Sequence, residues 1–215
     1  MPAGRSKRPD LLRRRAVLFD VGGPIDLEFA HEIALEGAIA SACGLEGIRV
    51  DQSAIDEASQ RAVEAFAPDA YVHMIETLCG DPRTVERVRQ RVRAMTGALD
   101  VFQLRPGIDD LLRKLRQRDL TLAAAEAQRE RLERAGIGDL FVYGDAGVPA
   151  AQCIMVGDRL DIDIVPAKAL GMATIRFKTG RHRRQQPRSP GEAPDLEVTD
   201  VPELEQAILH LSSPR

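Results

Sequence analysis

The chain has 215 residues, of which 44% are hydrophobic and 29% are charged, and its formal net charge is -3. These values are typical of a globular protein with one core domain, with or without a smaller inserted one, and they exclude disordered and collagen-like chains. No apolar stretch is long enough for a bilayer and the charge gives no general attraction to nucleic acid, so we expect neither a membrane nor a nucleic-acid partner.

The N-terminal region predicts a basic arm followed by a buried strand. The arm, residues 1–13, contains most of the basic cluster "GRSKRPDLLRRR". No apolar signal-peptide core follows this cluster. The strand is "RAVLFDV", a short apolar run that ends at an aspartate and at once meets a turn of glycines and proline. Such a run suits a strand that is buried on both faces.

A block of four helices is predicted over residues 27–99. In the first, Ile33, Ala34, Gly37, Ala38 and Cys43 recur near helical spacing. Asp51 is placed to cap the second helix, "PDAYVHMIETLCG" predicts the third, and Pro82 stands in the first turn of the fourth. Since no strand interrupts this block, we interpret it as a helical domain inserted between two parts of the core.

The remaining chain alternates between helices and strands. A stripe of Ile108, Leu111, Leu112 and Leu115 predicts an amphipathic helix. Strands are predicted at "LTLAAA", "LFVY", "QCIMVGD" and "ATIRF", with helical segments between them. This order predicts an α/β fold, in which residues 14–26 and 100–215 form a Rossmann-like core with a parallel sheet.

Two further features bear on surface and compartment. The basic segment "RHRRQQPRSPGEAPD" at 181–195 predicts a flexible, solvated loop. Cys43, Cys79 and Cys153 are odd in number and lack CxxC spacing, which argues against a disulfide framework and a zinc site. We therefore expect a cytoplasmic protein.

Two predicted strands end in acid, at Asp20 and at Asp158, and Asp161 and Asp163 follow the second. In a parallel sheet these carboxylates lie at the same edge. Two like charges about 4 Å apart repel by roughly 4 kcal/mol at an effective dielectric constant near 20, so the cluster needs a cation or a proton. Hard oxygen ligands favour Mg²⁺.

Together these residues resemble the haloacid dehalogenase superfamily of hydrolases, in the subclass with a helical cap inserted after the first motif. The first family motif resembles the strand end at Asp20 in "VLFDVGGPID". The fourth resembles Gly157, Asp158 and Asp163 in "VGDRLDID". The resemblance extends over residues 14–180.

The resemblance implies that Asp20 is the catalytic nucleophile, which forms a covalent aspartyl intermediate with a small-molecule substrate. It also implies that Mg²⁺ is held by Asp20, by the backbone near Val21 or Gly22, and by Asp158, with Asp163 in support. Oligomeric state stays open between a monomer and a homodimer.

The implied substrate-binding positions are Gly23, Arg159 and the end of the second strand. Small residues after the nucleophile let the backbone approach a substrate anion. Phosphatases of this family carry serine or threonine at the end of the second strand, whereas this chain offers Ala124 or Ala125. The resemblance therefore places the substrate against residues that lack the usual hydroxyl group.

Two other family motifs are degenerate. Gly22 stands where most phosphatases of the family have a second aspartate, which protonates the leaving group, and no lysine occurs between Lys114 and Lys168 to serve as the third motif. The segment before the second acidic strand is also short, as if a helix were missing. Three such losses remove on the order of 10⁶-fold in rate if they add, so we expect impaired activity. Arg129, Arg131 and Arg159 are the arginines that could replace the lysine charge.

Three functions remain open from the sequence. The first is a Mg²⁺-dependent hydrolase that acts on a small phosphorylated or otherwise activated metabolite through Asp20. The second is a catalytically silent protein that keeps the fold and binds a ligand. The third is a metal-independent hydrolase of carbon–halogen bonds, which would not need an aspartate at Gly22. His31 and His73 lie in the predicted cap, where either could touch substrate.

Overall fold

The computed structural model describes residues 14–97 and 101–213. The predicted basic arm at 1–13 lies outside these residues, and so does the predicted boundary between cap and core at 99 and 100. Within these two ranges, none of the helices is long and apolar enough to cross a membrane.

The core is a sheet of six parallel strands. These are β1 (Ala16–Phe19), β2 (Thr121–Ala124), β3 (Phe141–Tyr143), β4 (Cys153–Gly157), β5 (Ala173–Phe177) and β6 (Leu196–Val198). Their order is β3-β2-β1-β4-β5-β6, so β1 is central and the order reverses beside it. The predicted parallel α/β core is confirmed, and ligands of such sheets bind at this reversal point.

Four helices lie between β1 and the rest of the core: α1 (Phe29–Leu45), α2 (Gln52–Glu64), α3 (Ala70–Cys79) and α4 (Pro82–Thr96). Aspartates 51, 69 and 81 cap the last three by accepting a backbone N–H. The helices pack around an apolar cluster of their own, separate from the cluster against the sheet. The domain bounds at 27 and 99 stay a prediction.

The buried face of α1 differs from the predicted one. Leu35, Ile39, Ala42 and Cys43 are its buried residues. Ile33 is instead 53% exposed. Because this helix is apolar on nearly every side, its periodicity could not decide which face packs against the other cap helices.

Four helices flank the sheet: α5 (Ile108–Gln117), α6 (Arg129–Arg134), α7 (Val165–Ala169) and α8 (Val201–Ser212). The apolar stripe predicted for α5 is fully buried. The strand β6 and the helix α8 were not predicted individually, and both pack in the core. His210 lies in α8. These elements were missed because a three-residue strand carries almost no periodic signal.

The prediction of a flexible, solvated loop at 181–195 was wrong for two of its residues. Arg181 is 9% exposed and Gln185 is 1% exposed. Gln185 Oε1 accepts a hydrogen bond from the amide of Leu160 at 2.9 Å. Composition alone could not show that these polar groups find partners inside the protein.

The link between β3 and β4 is short. Parallel strands normally need a connection of about a dozen residues or more, usually with a helix, but residues 144–152 contain only one 3₁₀ turn, Ala150–Gln152. Leu18 and Met155, on the same face of neighbouring strands, are left only partly buried. A cavity of about 330 Å³ adjoins them and reaches Asp20.

The three cysteines are free thiols. Cys153 is buried, as expected. Cys43 and Cys79, which are far apart in sequence, meet inside the cap with their Sγ atoms 3.8 Å apart. The tertiary structure therefore pairs two residues whose spacing gave no sign of contact.

Candidate active site

Three carboxylates converge at the carboxyl edge of the sheet. Asp20 follows β1, Asp158 follows β4, and Asp163 lies in the π-helical turn Leu160–Ile164. One ligand oxygen from each lies within 4.8 Å of the others. Asp158 and Asp163 are 3% and 7% exposed. The predicted convergence of strand-end acids is therefore present in the structure.

Local packing explains this convergence. A Cβ at Gly157 would overlap the side chain of Asp163, so only glycine leaves room for that carboxylate. The amide of Arg159 donates to Asp163 Oδ2 at 2.9 Å. The buried guanidinium of Arg176 donates to the carbonyl of Asp158 at 3.3 Å and fixes the strand end.

The cluster is electrostatically strained without a cation. Burial, and secondly Glu28, raises the pKa of Asp20 to about 6. Burial and Asp20 raise the pKa of Asp163 to about 7, and burial raises the pKa of Asp158 well above its usual value. Three buried oxygen ligands that resist ionisation together are the donor set that a hard divalent cation satisfies. The residues therefore fit Mg²⁺.

The loop after Asp20 is tightly packed. Gly23 has φ of 81°, and a Cβ there would crowd Thr179 and Asp158. Arg105 Nε donates to the carbonyl of Gly23 at 3.0 Å. Gly23 is thus buried for a packing reason, and its role as a substrate contact stays a prediction.

Glu28 was not singled out from the sequence. It precedes α1 with φ of 54°, and its carboxyl group reaches back to Gly22. Burial, followed by Glu32 and Asp26, raises the pKa of Glu28 to about 7. No sequence signal marks this residue, because its approach to Gly22 depends on a left-handed turn that the neighbouring residues impose.

The end of β2 brings both candidate alanines to the cavity beside Asp20. Ala124 is 6% exposed and packs mainly in the core. Ala125, one residue further, is exposed. Ala125 is therefore the more accessible position for a hydroxyl group, and both alanines stay predicted substrate contacts.

The described lysines are engaged elsewhere. Lys114 pairs with Glu205, and Lys178 pairs with Glu197. Lys168 donates to the carbonyl of Ala193 at 2.5 Å. These contacts leave none of the three at the carboxylate cluster, so the third-motif cation has no lysine substitute among the described residues.

The three candidate arginines differ in position. Arg129 pairs with Glu126 and stacks on the ring of Tyr143. Arg159 pairs with Asp161 at 2.6 Å, yet it lies close enough to Asp20 to lower the pKa of that carboxyl. Arg131 is exposed on α6 and acts on the pKa of Glu28.

A second cavity, of about 340 Å³, lies between the cap and the core and is lined by charged side chains. His31 and Arg159 line it together with Arg181, which extends from the core into the cap. Arg181 pairs with Glu32 at 3.2 Å and with Glu36 at 3.3 Å. His73 is not among the lining residues, so of the two cap histidines His31 is the one beside this cavity.

Sequence comparison places the chain among known hydrolases. Residues 120–204 match the family described as HAD-hydrolase-like. A glyceraldehyde 3-phosphate phosphatase of Methanopyrus kandleri is 36% identical over 66 residues, which are 31% of this chain and 28% of that protein. A phosphoglycolate phosphatase of Synechococcus elongatus is 25% identical over 92% of this chain and 98% of that protein.

Structural comparison extends the likeness to the whole fold. A crystal structure of a HAD-hydrolase from Bacillus subtilis, bound to magnesium, matches with a TM-score of 0.59 at 18% identity. The match covers 91% of this chain and 99% of that chain. Residues 120–204 are thus similar in sequence to the HAD-hydrolase-like family, and the described length of the chain has the fold of that crystal structure.

Proposed function

We propose that the protein is a Mg²⁺-dependent phosphatase that hydrolyses a small phosphorylated metabolite through Asp20. The convergence of Asp20, Asp158 and Asp163 within 4.8 Å carries the proposal. The similarity to phosphatases of glyceraldehyde 3-phosphate and phosphoglycolate supports a phosphate ester as substrate. A charged cavity of about 340 Å³ beside the site suits a short, polar leaving group.

Asp20 acts as the nucleophile. Its position at the tip of the central strand fixes the carboxylate while one oxygen attacks phosphorus. The ester bond breaks, and the phosphoryl group remains on Asp20 until water releases it as inorganic phosphate. The guanidinium of Arg159 lies close enough to favour the ionised form of this carboxyl group.

Mg²⁺ would be held by Asp20, by the backbone at Gly22 and by Asp158, with Asp163 in support. When bound, the ion supplies positive charge to the transferring phosphoryl group and holds the carboxylates ionised. Asp163 is kept in place by the amide of Arg159 at 2.9 Å. Gly23, Ala124, Ala125 and Arg159 are the proposed substrate contacts.

The test is phosphate release from a panel of phosphomonoesters that includes glyceraldehyde 3-phosphate and phosphoglycolate. We expect Mg²⁺-dependent turnover, lost on chelation and lost in Asp20→Asn protein prepared in parallel. Hydrolysis at the parental rate by the Asp20→Asn variant would contradict the proposal. Asp161→Asn is the matched control, because Asp161 pairs with Arg159 outside the carboxylate cluster.

A second candidate, a silent binding protein, is favoured by one observation. Ala125 occupies the place where a hydroxyl group would reach the site, and the three described lysines are engaged elsewhere. Such a protein would still bind Mg²⁺, but the wild-type and Asp20→Asn proteins would release phosphate at the same near-zero rate. Turnover of about 1 s⁻¹ or faster on any substrate excludes this candidate.

The metal-independent dehalogenase hypothesis has less support. The buried carboxylates raise one another's pKa values, so the cluster is disfavoured unless a cation or protons neutralise it. Halide release that is insensitive to a chelator, measured across a panel of haloacids, would revive the hypothesis.

A further inference from the structure

Position 22 has no side chain, yet the space beside it is filled. A Cβ on Gly22 would overlap Oε1 of Glu28, and would lie 3.0 Å from Cδ of Glu28 and 3.6 Å from Oδ2 of Asp20. The carboxyl group of Glu28 therefore stands where a side chain from position 22 would begin. It reaches this place from six residues further along the chain.

The backbone holds Glu28 in this position. Its φ of 54° lies in the left-handed region, which a residue with a Cβ seldom adopts. Asp26, 6% exposed, stabilises the turn by accepting the amides of Glu28 at 3.3 Å and of Gln103 at 2.9 Å. This turn directs the side chain back over Gly22.

Helix capping does not account for the arrangement. Glu28 is the residue before α1, but its side chain makes no capping hydrogen bond. Among the described residues, its carboxyl group has no hydrogen-bond or ion-pair partner in the structure. It borders the cavity between cap and core.

We infer that Glu28 is the proton donor to the leaving group, in place of an aspartate at position 22. The inference rests on the proposed phosphatase function. As Asp20 attacks phosphorus and the ester P–O bond breaks, the Glu28 carboxyl group gives its proton to the departing alkoxide oxygen. As water then attacks the aspartyl phosphate, the Glu28 carboxylate takes a proton from that water, and phosphate and free Asp20 are released.

The test compares Glu28→Gln with the wild type on two esters at saturating Mg²⁺. Glycerol phosphate has a leaving group that needs a proton, whereas p-nitrophenyl phosphate has one that departs without it. We expect kcat to fall on the order of 10²- to 10⁴-fold for glycerol phosphate and far less for p-nitrophenyl phosphate. Glu36→Gln, in the helix that Glu28 precedes, is the matched control and should hydrolyse both esters at the wild-type rates.

A second variant tests whether a carboxyl group at position 22 can replace the carboxyl group of Glu28. In the double substitution Glu28→Ala with Gly22→Asp, the carboxyl group is supplied from position 22 and the overlap with Glu28 is removed. We expect this protein to hydrolyse glycerol phosphate faster than Glu28→Ala alone. Circular dichroism and thermal unfolding establish that each variant is folded.

The possible outcomes distinguish a failure of the proposed role of Glu28 from a failure of the proposed phosphatase function. Equal losses on both esters in Glu28→Gln, or no recovery in the double variant, would overturn the role of Glu28 while leaving the phosphatase function intact. A wild-type protein that hydrolyses neither p-nitrophenyl phosphate nor any other ester would overturn the phosphatase function and, with it, the inference.

Discussion

The ends of β1 and β4 and the ends of β2 and β3 line the same cleft, but the first two strands carry carboxylates there and the other two carry small apolar residues. At the ends of β1 and β4, three carboxylates lie within 4.8 Å of one another, and Gly157 makes room for one of them. At the ends of β2 and β3, the cleft is lined by Ala125 and Gly144. The side that carries the predicted Mg²⁺ ligands is acidic, whereas the side predicted to hold the phosphate oxygens is apolar.

This difference indicates that the residues on one side of the cleft can change without changing those on the other side. The carboxylate side depends on residues within one contiguous turn after β4 and on the strand end before Gly22. The opposite side depends on the connection between β3 and β4, which is only nine residues long, 144–152. A short connection on one side is therefore compatible with an intact carboxylate cluster on the other.

The largest effect is expected from breaking the carboxylate side. Asp158→Asn removes the most buried ligand of the cluster, so Mg²⁺ affinity and phosphatase activity should fall together, on the order of 10³-fold in activity. Isothermal titration with Mg²⁺ and phosphate release measure the two quantities. Unchanged Mg²⁺ affinity would show that the ion binds elsewhere.

A smaller effect is expected from filling the space at Gly157. A methyl group in Gly157→Ala overlaps Asp163, so we expect a loss of about 1 to 3 kcal/mol in the free energy of unfolding and weaker Mg²⁺ binding. Gly37→Ala is the matched control, because a Cβ there meets open space on a helix and should stabilise by roughly 0.5 to 1 kcal/mol. Urea unfolding of both variants measures whether their changes in the free energy of unfolding have opposite signs.

Removal of the metal should make the free energy of unfolding depend on pH, because the acidic side holds carboxyl groups with raised pKa values. The pKa values of Asp163 and Glu28 are raised to about 7, so the folded metal-free protein binds these protons more tightly than the unfolded chain. The free energy of unfolding should therefore rise by about 1 to 2 kcal/mol as the pH falls from about 8 to about 6.5. The same titration with saturating Mg²⁺ should remove the part of this rise that comes from Asp163.

The range stops near pH 6.5 because His182 acts in the opposite sense below it. Burial and the neighbouring Arg159 lower the pKa of His182 to about 4, so its contribution to stability is lost as the pH falls further. A chelated protein that loses stability between pH 8 and 6.5 would contradict the assignment of raised pKa values to the carboxyl groups.

The smallest effect is expected from rebuilding the apolar side. Ala125→Ser places a hydroxyl group beside the cleft, and we expect kcat for phosphate esters to rise by up to about 10-fold, below the full worth of a well-aligned donor. Ala124→Ser is the comparison: Ala124 lines the same cavity but is 6% exposed, so its hydroxyl group should lower stability by about 1 to 3 kcal/mol and raise kcat less. A larger gain from Ala124→Ser would contradict the choice of Ala125 as the more accessible position.

Much of the site could be predicted because its residues end strands. Asp20 and Asp158 follow short apolar runs, and parallel strands bring their carboxyl ends to one edge. Glu28 could not be predicted in the same way. Its place depends on a left-handed turn and on the hydrogen bonds of Asp26, neither of which has a periodic pattern.

The sequence by itself determined the parallel α/β core, the helical block after β1 and the carboxylates that converge at Asp20. These follow from local patterns of apolar residues and from the geometry of parallel strands. Only the tertiary structure decided that Arg181 is buried against the cap and that Glu28 fills the space at Gly22. Each of these depends on contacts between residues far apart in the chain, where packing and the need to satisfy buried charge outweigh local propensity.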